Sequence, residues 1–402
     1  MLINITPLKK YPDFRWLYYG QFISIIGSMM SYVAVPYQVY QLTKNNALVG
    51  ALGIVQFVPL VLFSLLGGTY ADRLNRQKLL IWSEVIMVGL TALLAINAMV
   101  ASPSVPLIFI LMGILQGVNG FHRPAMEAMT QQIVERNDYP SIAALTSFRY
   151  SASAIAGPSL GGIVIAAFGI QSAYWIDALT FLIAIYCLFK MKKIPDAEVS
   201  KKSPLEDMKE GLRFALSKPE LMGTYIIDIV AMLFAYPIAL YPAMSESWGG
   251  AIVTGWLFAS MSVGALLATL VSGWSSTVSR KGRGVVIAAI VWGVFIIGTG
   301  YSNKFIWAFA FLVLAGMADM FSALFRKVIW NETIPNNMRG RLSGIEMISY
   351  MTGPLLGNAR AGYMANQTSV TFSLWSGGYT CVVAVILTAF FLPKFWKYKS
   401  QS

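Results

Sequence analysis

Charged side chains are scarce in this 402-residue chain: Asp, Glu, Lys and Arg make up 12% of it, where soluble globular domains carry roughly 25%. With 56% of the residues hydrophobic, a water-soluble globule is excluded and the chain belongs in a membrane. Cysteine and histidine are scarcer still. Cys187 and Cys381 both fall inside apolar runs and His122 is the single histidine, so neither a disulfide framework nor a Cys/His metal centre has enough members. No nucleophile stands beside a base and no metal-binding set of acids and histidines recurs, which argues against an enzyme and implies no cofactor. Nor is there a filter or ring motif of the kind an oligomeric channel uses.

Long apolar runs are abundant instead. A spanning helix needs about 20 mostly apolar residues, and twelve segments reach that length: 14–42, 47–70, 79–100, 106–133, 142–168, 172–191, 221–244, 252–274, 285–301, 305–330, 342–364 and 371–392. They are called spans 1 to 12 below. The first continues past the 7–15 residues of a signal-peptide core, so it is kept as a span.

The loops between spans divide into two sets. Of the 30 Lys and Arg residues, only Lys44 and Lys304 fall in one set, and Arg123, Arg149 and Arg360 lie within spans. The positive-inside rule then places both termini in the cytoplasm. The net charge of +12 is spread through short loops rather than gathered on one face, so it marks topology and not a nucleic-acid surface.

One connection is long. Residues 192–220 carry seven Lys and Arg side chains and split the chain into bundles at 1–191 and 221–402. Ser203-Pro204 reads as a helix start, and Leu205, Met208, Leu212, Ala215 and Leu216 recur on one helical face. The segment is expected either as an amphipathic helix on the inner membrane surface, over the junction of the bundles, or as a solvated linker.

Two short motifs carry the architecture. Gly67 and Gly68 precede Asp72, Arg73, Arg76 and Lys78 between spans 2 and 3. The segment resembles the G-x-x-x-D-R-x-G-R-K loop of major facilitator superfamily transporters, with Asn75 replacing a glycine and Gln77 a basic residue. On span 5, Gly157-Pro158-x-x-Gly161-Gly162 resembles the fifth-helix motif of exporters in that superfamily, with Ser153 replacing its first glycine. Small residues one turn apart allow close helix packing and proline frees a carbonyl, so this motif serves either a rocking contact between halves or static packing. The second half echoes both, at Gly273 to Arg283 and at Gly353-Pro354-Leu355-Leu356-Gly357, and Arg123 is matched by Arg326. Such repeats are a mark of transporters. The resemblance implies an all-α membrane protein of twelve transmembrane helices in two six-helix bundles, with spans 1, 4, 7 and 10 lining a central cavity.

It also implies roles. Gly68, Asp72, Arg73, Arg76 and Lys78 are expected to gate the cytoplasmic side with Glu127, Arg341 and Glu346, Asp72 near Gly344 and Arg76 near Glu127 in an outward-open state. Charges inside hydrocarbon are costly and point to function; the candidates are Arg123, Arg149, Asp177, Asp228, Asp319, Glu346 and Arg360. Arg149, Asp228 and Asp319 are best placed to meet substrate, and Asp228 and Asp319 to carry protons. Asp177 reads as structural and Arg360 as a side chain snorkelling to the outer surface. His122 is either a proton relay or a packing histidine. Phe22, Tyr32, Tyr37 and Tyr236, with Phe234 and Tyr241, form either an aromatic cavity wall or core. Arg149 is either a substrate anchor or the partner of Asp177 or Glu127.

Across nearly the whole chain the sequence resembles the enterobactin-exporter branch of the superfamily, related to macrolide-efflux proteins. Phe14-Arg15, Val33-Ala34-Val35-Pro36, Gly211-Leu212-Arg213-Phe214, Leu240-Tyr241-Pro242-Ala243 and Met338-Arg339-Gly340-Arg341 carry that resemblance. It implies a monomeric exporter of a siderophore-like small molecule in the bacterial inner (cytoplasmic) membrane, exchanging it for protons. A multidrug or macrolide efflux pump and a siderophore importer are the alternatives.

Overall fold

In the computed structural model, residues 4–71, 75–192, 204–335 and 338–400 are described, those at 64–71, 204–209, 339–341, 343–344 and 347–348 by backbone alone. Among the described residues there are only helices, turns and irregular segments. The spans are Pro12–Thr43, Asn46–Ala71, Arg76–Met99, Val105–Ile133, Tyr139–Phe168, Ile170–Lys190, Pro219–Ala235, Gly250–Leu270, Lys281–Gly300, Phe305–Thr333, Arg339–Gln367 and Val370–Phe391. Eleven are long and apolar enough to cross a membrane, the seventh when counted through to Ser245. Arg339–Gln367 has the length, 29 residues, or about 43 Å at 1.5 Å per residue. Its four charged side chains, Arg339, Arg341, Glu346 and Arg360, dilute its apolar character.

Local chemistry sets the ends. Asn75, in the place of the loop glycine, caps span 3 by accepting from the Lys78 backbone N–H at 3.0 Å. That bond satisfies one of the orphan donors every helix start exposes. Ser104 and Ser369 cap spans 4 and 12 in the same way.

Span 7 departs from the continuous helix expected over 221–244. It stops at Ala235, passes through a 3-10 turn at Ile238–Leu240 and resumes as Tyr241–Ser245. Pro237 is the reason: it lacks the donor the helix needs and pushes Tyr236 into extended backbone, where Tyr236 has φ −86° and ψ 114°. Span 11 repairs the break. The Ala239 N–H donates to Asn358 Oδ1 at 3.0 Å, and the Arg360 guanidinium donates to the Phe234 and Ser373 carbonyls at 3.0 Å and to Ser376 Oγ at 2.7 Å. Arg360 is therefore a clamp on the interrupted helix, not a side chain reaching for the outer surface. Span 8 likewise ends early, at Leu270, in a 3-10 turn over Ser272–Thr277.

The chain forms two compact units, Met1–Leu42 with Val55–Lys201, and Thr43–Ile54 with Lys202–Ser402. Thr43–Ile54 groups with the second unit. Gly50 and Gly53 allow this, since a Cβ on either would lie about 2.5 Å from a span 11 carbonyl, of Asn358 or Leu355.

Within the first unit, span 5 packs on span 1 through its glycine motif. A Cβ at Gly157 would lie 2.4 Å from Met29 Cβ, and one at Gly161 would lie 3.0 Å from Met30 Cα. Gly20 and Gly27 do the same for span 1 against Cys187 and Thr180 of span 6. The second unit repeats the device: Gly353 and Gly357 of span 11 abut Ile229, Met232 and Tyr236 of span 7. The weak internal echo of the sequence is thus the same packing solution used twice. Helix pairs in membranes associate largely through such close van der Waals contact.

Helix Pro204–Ser217 packs into the second unit, where Ala215 joins Leu221, Tyr225, Ile334, Met338 and Leu342 in one buried cluster. Leu212 and Leu216 remain exposed. The C-terminal segment docks on the same unit. Phe395 is fully buried against Gly223, its carbonyl approaches Gly282, and Glu332 accepts from Tyr398 Oη at 2.7 Å and from Ser400 Oγ.

Candidate functional site

Each unit encloses an arginine among its helices. In the second, Arg326 of span 10 pairs directly with Asp228 of span 7 and reaches Asp319, two turns earlier on its own helix, at 3.6 Å. Asp228 and Arg326 are enclosed, their side chains 7% and 13% exposed, whereas that of Asp319 is 41% exposed. Two carboxylates thus share one guanidinium, and the three together hold one negative charge or, with one proton added, none. Asp228, Asp319 and Ser322 line a small cavity with Met232 and Trp292, and the buried Trp292 indole N–H has no partner among the described residues. Glu346 of span 11 lies within electrostatic range of Arg326, Lys327 and Tyr225.

In the first unit, Arg149 of span 5 is 9% exposed, and its guanidinium lies 5.5 Å from the ring centre of Tyr18 of span 1. Tyr18 is itself held by donating to the Leu145 carbonyl at 3.2 Å and by stacking on Phe14 and Phe22. A buried guanidinium over an aromatic face gains up to about 2 kcal/mol. The Arg149 Nε nevertheless has no acceptor, and no carboxylate pairs with it among the described residues. Asp177 is engaged elsewhere, accepting from Ser31 Oγ at 2.5 Å and Ser28 Oγ at 3.3 Å. Glu127 is exposed near the C-terminal end of span 4.

The other expected residues are placed as follows. Phe22 is half-buried beside Tyr18, Tyr32 is exposed, and Tyr37 and Tyr236 are half-buried. Arg76 reaches the C-terminal end of span 4, donating to the Ala128 carbonyl at 3.2 Å and Gln132 Oε1 at 3.1 Å. The Lys78 side chain is exposed. Asp72 and Arg73 lie outside the described residues, as does the side chain of Arg341; Gly68 and Gly344 are described by backbone alone. Pro158 and Gly162 are buried in span 5.

Three residues went unread in the sequence. Arg326 was seen only as an echo of Arg123, though it lies inside an apolar run and on a cavity-facing span by the resemblance. Arg123 itself is exposed. Asn358 gives no signal short of the structure. Glu84 lies within span 3 between Trp82 and Met87, and its side chain is wholly buried. A charge in the middle of an apolar run was the available signal.

The family model described as transmembrane secretion effector matches residues 4–402. The chain is 28% identical over 396 residues to the enterobactin exporter EntS of Shigella boydii serotype 4, covering 96% of this chain and 93% of the relative. It is 25% identical over 406 residues to the enterobactin exporter EntS of Salmonella paratyphi A, covering 100% and 97%. Among solved structures, the nucleoside transporter NupG superposes with a TM-score of 0.73 at 15% identity, over 96% of this chain and 99% of that one. A bacterial homologue of the lysosomal transporter Spinster gives 0.71 at 14% identity, over 96% and 95%. These two likenesses establish the shared fold, and the match over nearly every residue places the chain in the transmembrane secretion effector family of the major facilitator superfamily, as a multi-pass membrane transporter.

Proposed function

We propose that this protein exports a siderophore of the enterobactin kind across the bacterial inner membrane by alternating access, admitting protons in exchange. Both termini lie in the cytoplasm and the monomer is the working unit. The observation that carries the reading is the full-length similarity to relatives bearing the name enterobactin exporter. The chemistry of the two charged sites agrees with it. Arg149, buried with an unused N–H and an aromatic neighbour, suits a large, oxygen-rich, anionic or catecholic molecule, because guanidinium donates parallel hydrogen bonds and stacks on rings. Asp319, exposed yet tied to Arg326, is the acid placed to exchange a proton, with Asp228 as the fixed counter-charge. The backbone glycines and cations of the inner loop, Gly68 to Lys78, then serve as the cytoplasmic gate.

The test is reconstitution into liposomes under an imposed pH gradient, comparing iron-free enterobactin, a carboxylate siderophore and a macrolide. Enterobactin should move fastest, outward with respect to the cytoplasmic face, and only with the gradient. Preference for the macrolide, or movement indifferent to the gradient, overturns the proposal.

A further inference from the structure

Glu84 of span 3 has no exposed side-chain surface. Its Oε1 accepts from Gln21 Nε2 of span 1 at 2.7 Å and faces His122 Nε2 of span 4 at 3.0 Å, while Oε2 has no partner among the described residues. Beneath it, toward the inner end, lie Leu17, Leu80, Ala125, Met129 and Leu188. No Lys or Arg pairs with Glu84 among the described residues. From span 6, Asp177 faces it within electrostatic range and Cys187 lies on the same helix. Span 4 offers His122, with Arg123 and Glu127 exposed, span 1 offers the uncharged Gln21, and span 3 itself has Lys78 exposed at its start. The side chains of span 2 at 64–71 lie outside the described residues.

A carboxylate cut off from water is costly unless its charge is cancelled. Here only two arrangements cancel it: an imidazolium on His122, or a proton on Glu84 itself. Both hold one proton more than the pair of a carboxylate and a neutral imidazole. The enclosed pair is therefore stable with that proton aboard and unstable without it. His122, with 11% of its side chain exposed, is the one member in touch with the outside of this enclosure, and imidazole exchanges protons in the physiological range. Gln21, 4% exposed, fixes one carboxyl oxygen and leaves the other free.

We propose that Glu84 and His122 form a proton-binding site in the first unit, separate from the acids of the second, with Gln21 positioning the carboxyl group. Loss of the proton leaves a buried charge that only water entering among spans 1, 3 and 4 can relieve, so occupancy favours the closed packing seen here. A ligand shifts a conformational equilibrium only through such a difference in affinity between states.

Because His122 is the only histidine, protein labelled with ring-15N histidine gives one pair of imidazole signals. In detergent-solubilised full-length protein their response to pH gives a midpoint, and Glu84→Gln should displace it. Glu84→Asp is the second variant should the glutamine form not fold, and it too should displace the midpoint. A midpoint unchanged by either substitution, or a ring that does not titrate, overturns the proposal. In liposomes with iron-free enterobactin as probe, Glu84→Gln should lower gradient-driven movement at least tenfold and spare exchange without a gradient; equal losses in both overturn the coupling role. That arm rests on the export reading. Its failure in the unsubstituted protein, with the histidine titration intact, would refute the substrate and leave the proton site standing.

Discussion

Replacing Arg326 by Met should be the most damaging single change in the charged cluster of the second unit. Methionine keeps an unbranched apolar stem, so the substitution chiefly removes the cation. Asp228, 7% exposed and in direct contact with the guanidinium, is then left enclosed without a counter-charge. Breaking a buried pair from one side costs about 3–5 kcal/mol. Asp228→Asn leaves Arg326 its second partner, Asp319, at 3.6 Å, and should cost about 1.5–3 kcal/mol, the worth of a hydrogen bond to a charged group. Asp319→Asn leaves the enclosed pair intact and removes an acid that is 41% exposed, a loss of about 0–1 kcal/mol. For a unit of this size 1 kcal/mol corresponds to roughly 2–4 °C, so the variants should melt lower by roughly 6–20, 3–12 and 0–4 °C. Intrinsic tryptophan fluorescence of detergent-purified protein during heating measures this. In liposomes the order should invert for Asp319→Asn, which should lose gradient-driven transport while keeping its stability. Arg326→Met melting with the unsubstituted protein, or Asp319→Asn as unstable as Arg326→Met, refutes the assignment of Arg326 as the shared counter-charge.

Other outcomes follow from the packing and the first site. Gly357→Ala would bring a Cβ to 2.3 Å from the Met232 carbonyl oxygen and should destabilise by about 1–3 kcal/mol. Gly89→Ala, with nothing within 4 Å, should be neutral or stabilising by up to about 1 kcal/mol, and paired melting curves separate the two. Phe395→Ala empties a fully buried seat against Gly223 and should cost about 3–5 kcal/mol, read in the same way. Burial, with the bond to Glu332 behind it, pushes the Tyr398 hydroxyl up to about 12. Its contribution is complete below the ordinary value near 10 and lost as pH rises through the raised one. The melting difference between Tyr398→Phe and the unsubstituted protein at about pH 9 should therefore vanish by about pH 12. Arg149→Lys should weaken enterobactin transport and Arg149→Ala abolish it; unchanged binding with a large loss of stability would leave Arg149 a structural residue.

The helices were legible because hydrocarbon imposes a long, nearly uninterrupted apolar run on each span, and the run survives whatever the tertiary contacts are. The errors lie where a single residue overrides the run. Pro237 stops span 7 inside a segment whose apolar character never falters, and only the presence of Asn358 and Arg360 opposite makes that break affordable. Neither partner can be found by periodicity, since both sit more than a hundred residues away. Arg360 looked like a charge in search of water, but the structure gives it two carbonyls and a hydroxyl instead. The resemblance between Gly157-Pro158 and Gly353-Pro354 was a clearer guide, because close helix packing tolerates no Cβ and leaves its mark in the sequence itself.

The sites were legible in a different measure. Asp228 and Asp319 stood out as acids in apolar runs, but their meaning depends on the cation between them, and Arg326 was read only as the counterpart of Arg123. Glu84 was overlooked although the rule that found Asp228, a charge inside an apolar run, applied to it equally. A carboxyl group enclosed among helices has to settle its charge locally, whichever spans face the substrate, and the single histidine of the chain stands 3.0 Å away to settle it. Intramembrane acids are therefore better sorted by what neutralises them than by the number of the span that carries them. By that criterion Asp177, held by two serine hydroxyls, belongs to packing, while Glu84 with His122 and Asp319 with Arg326 each have a partner that can change charge or let go.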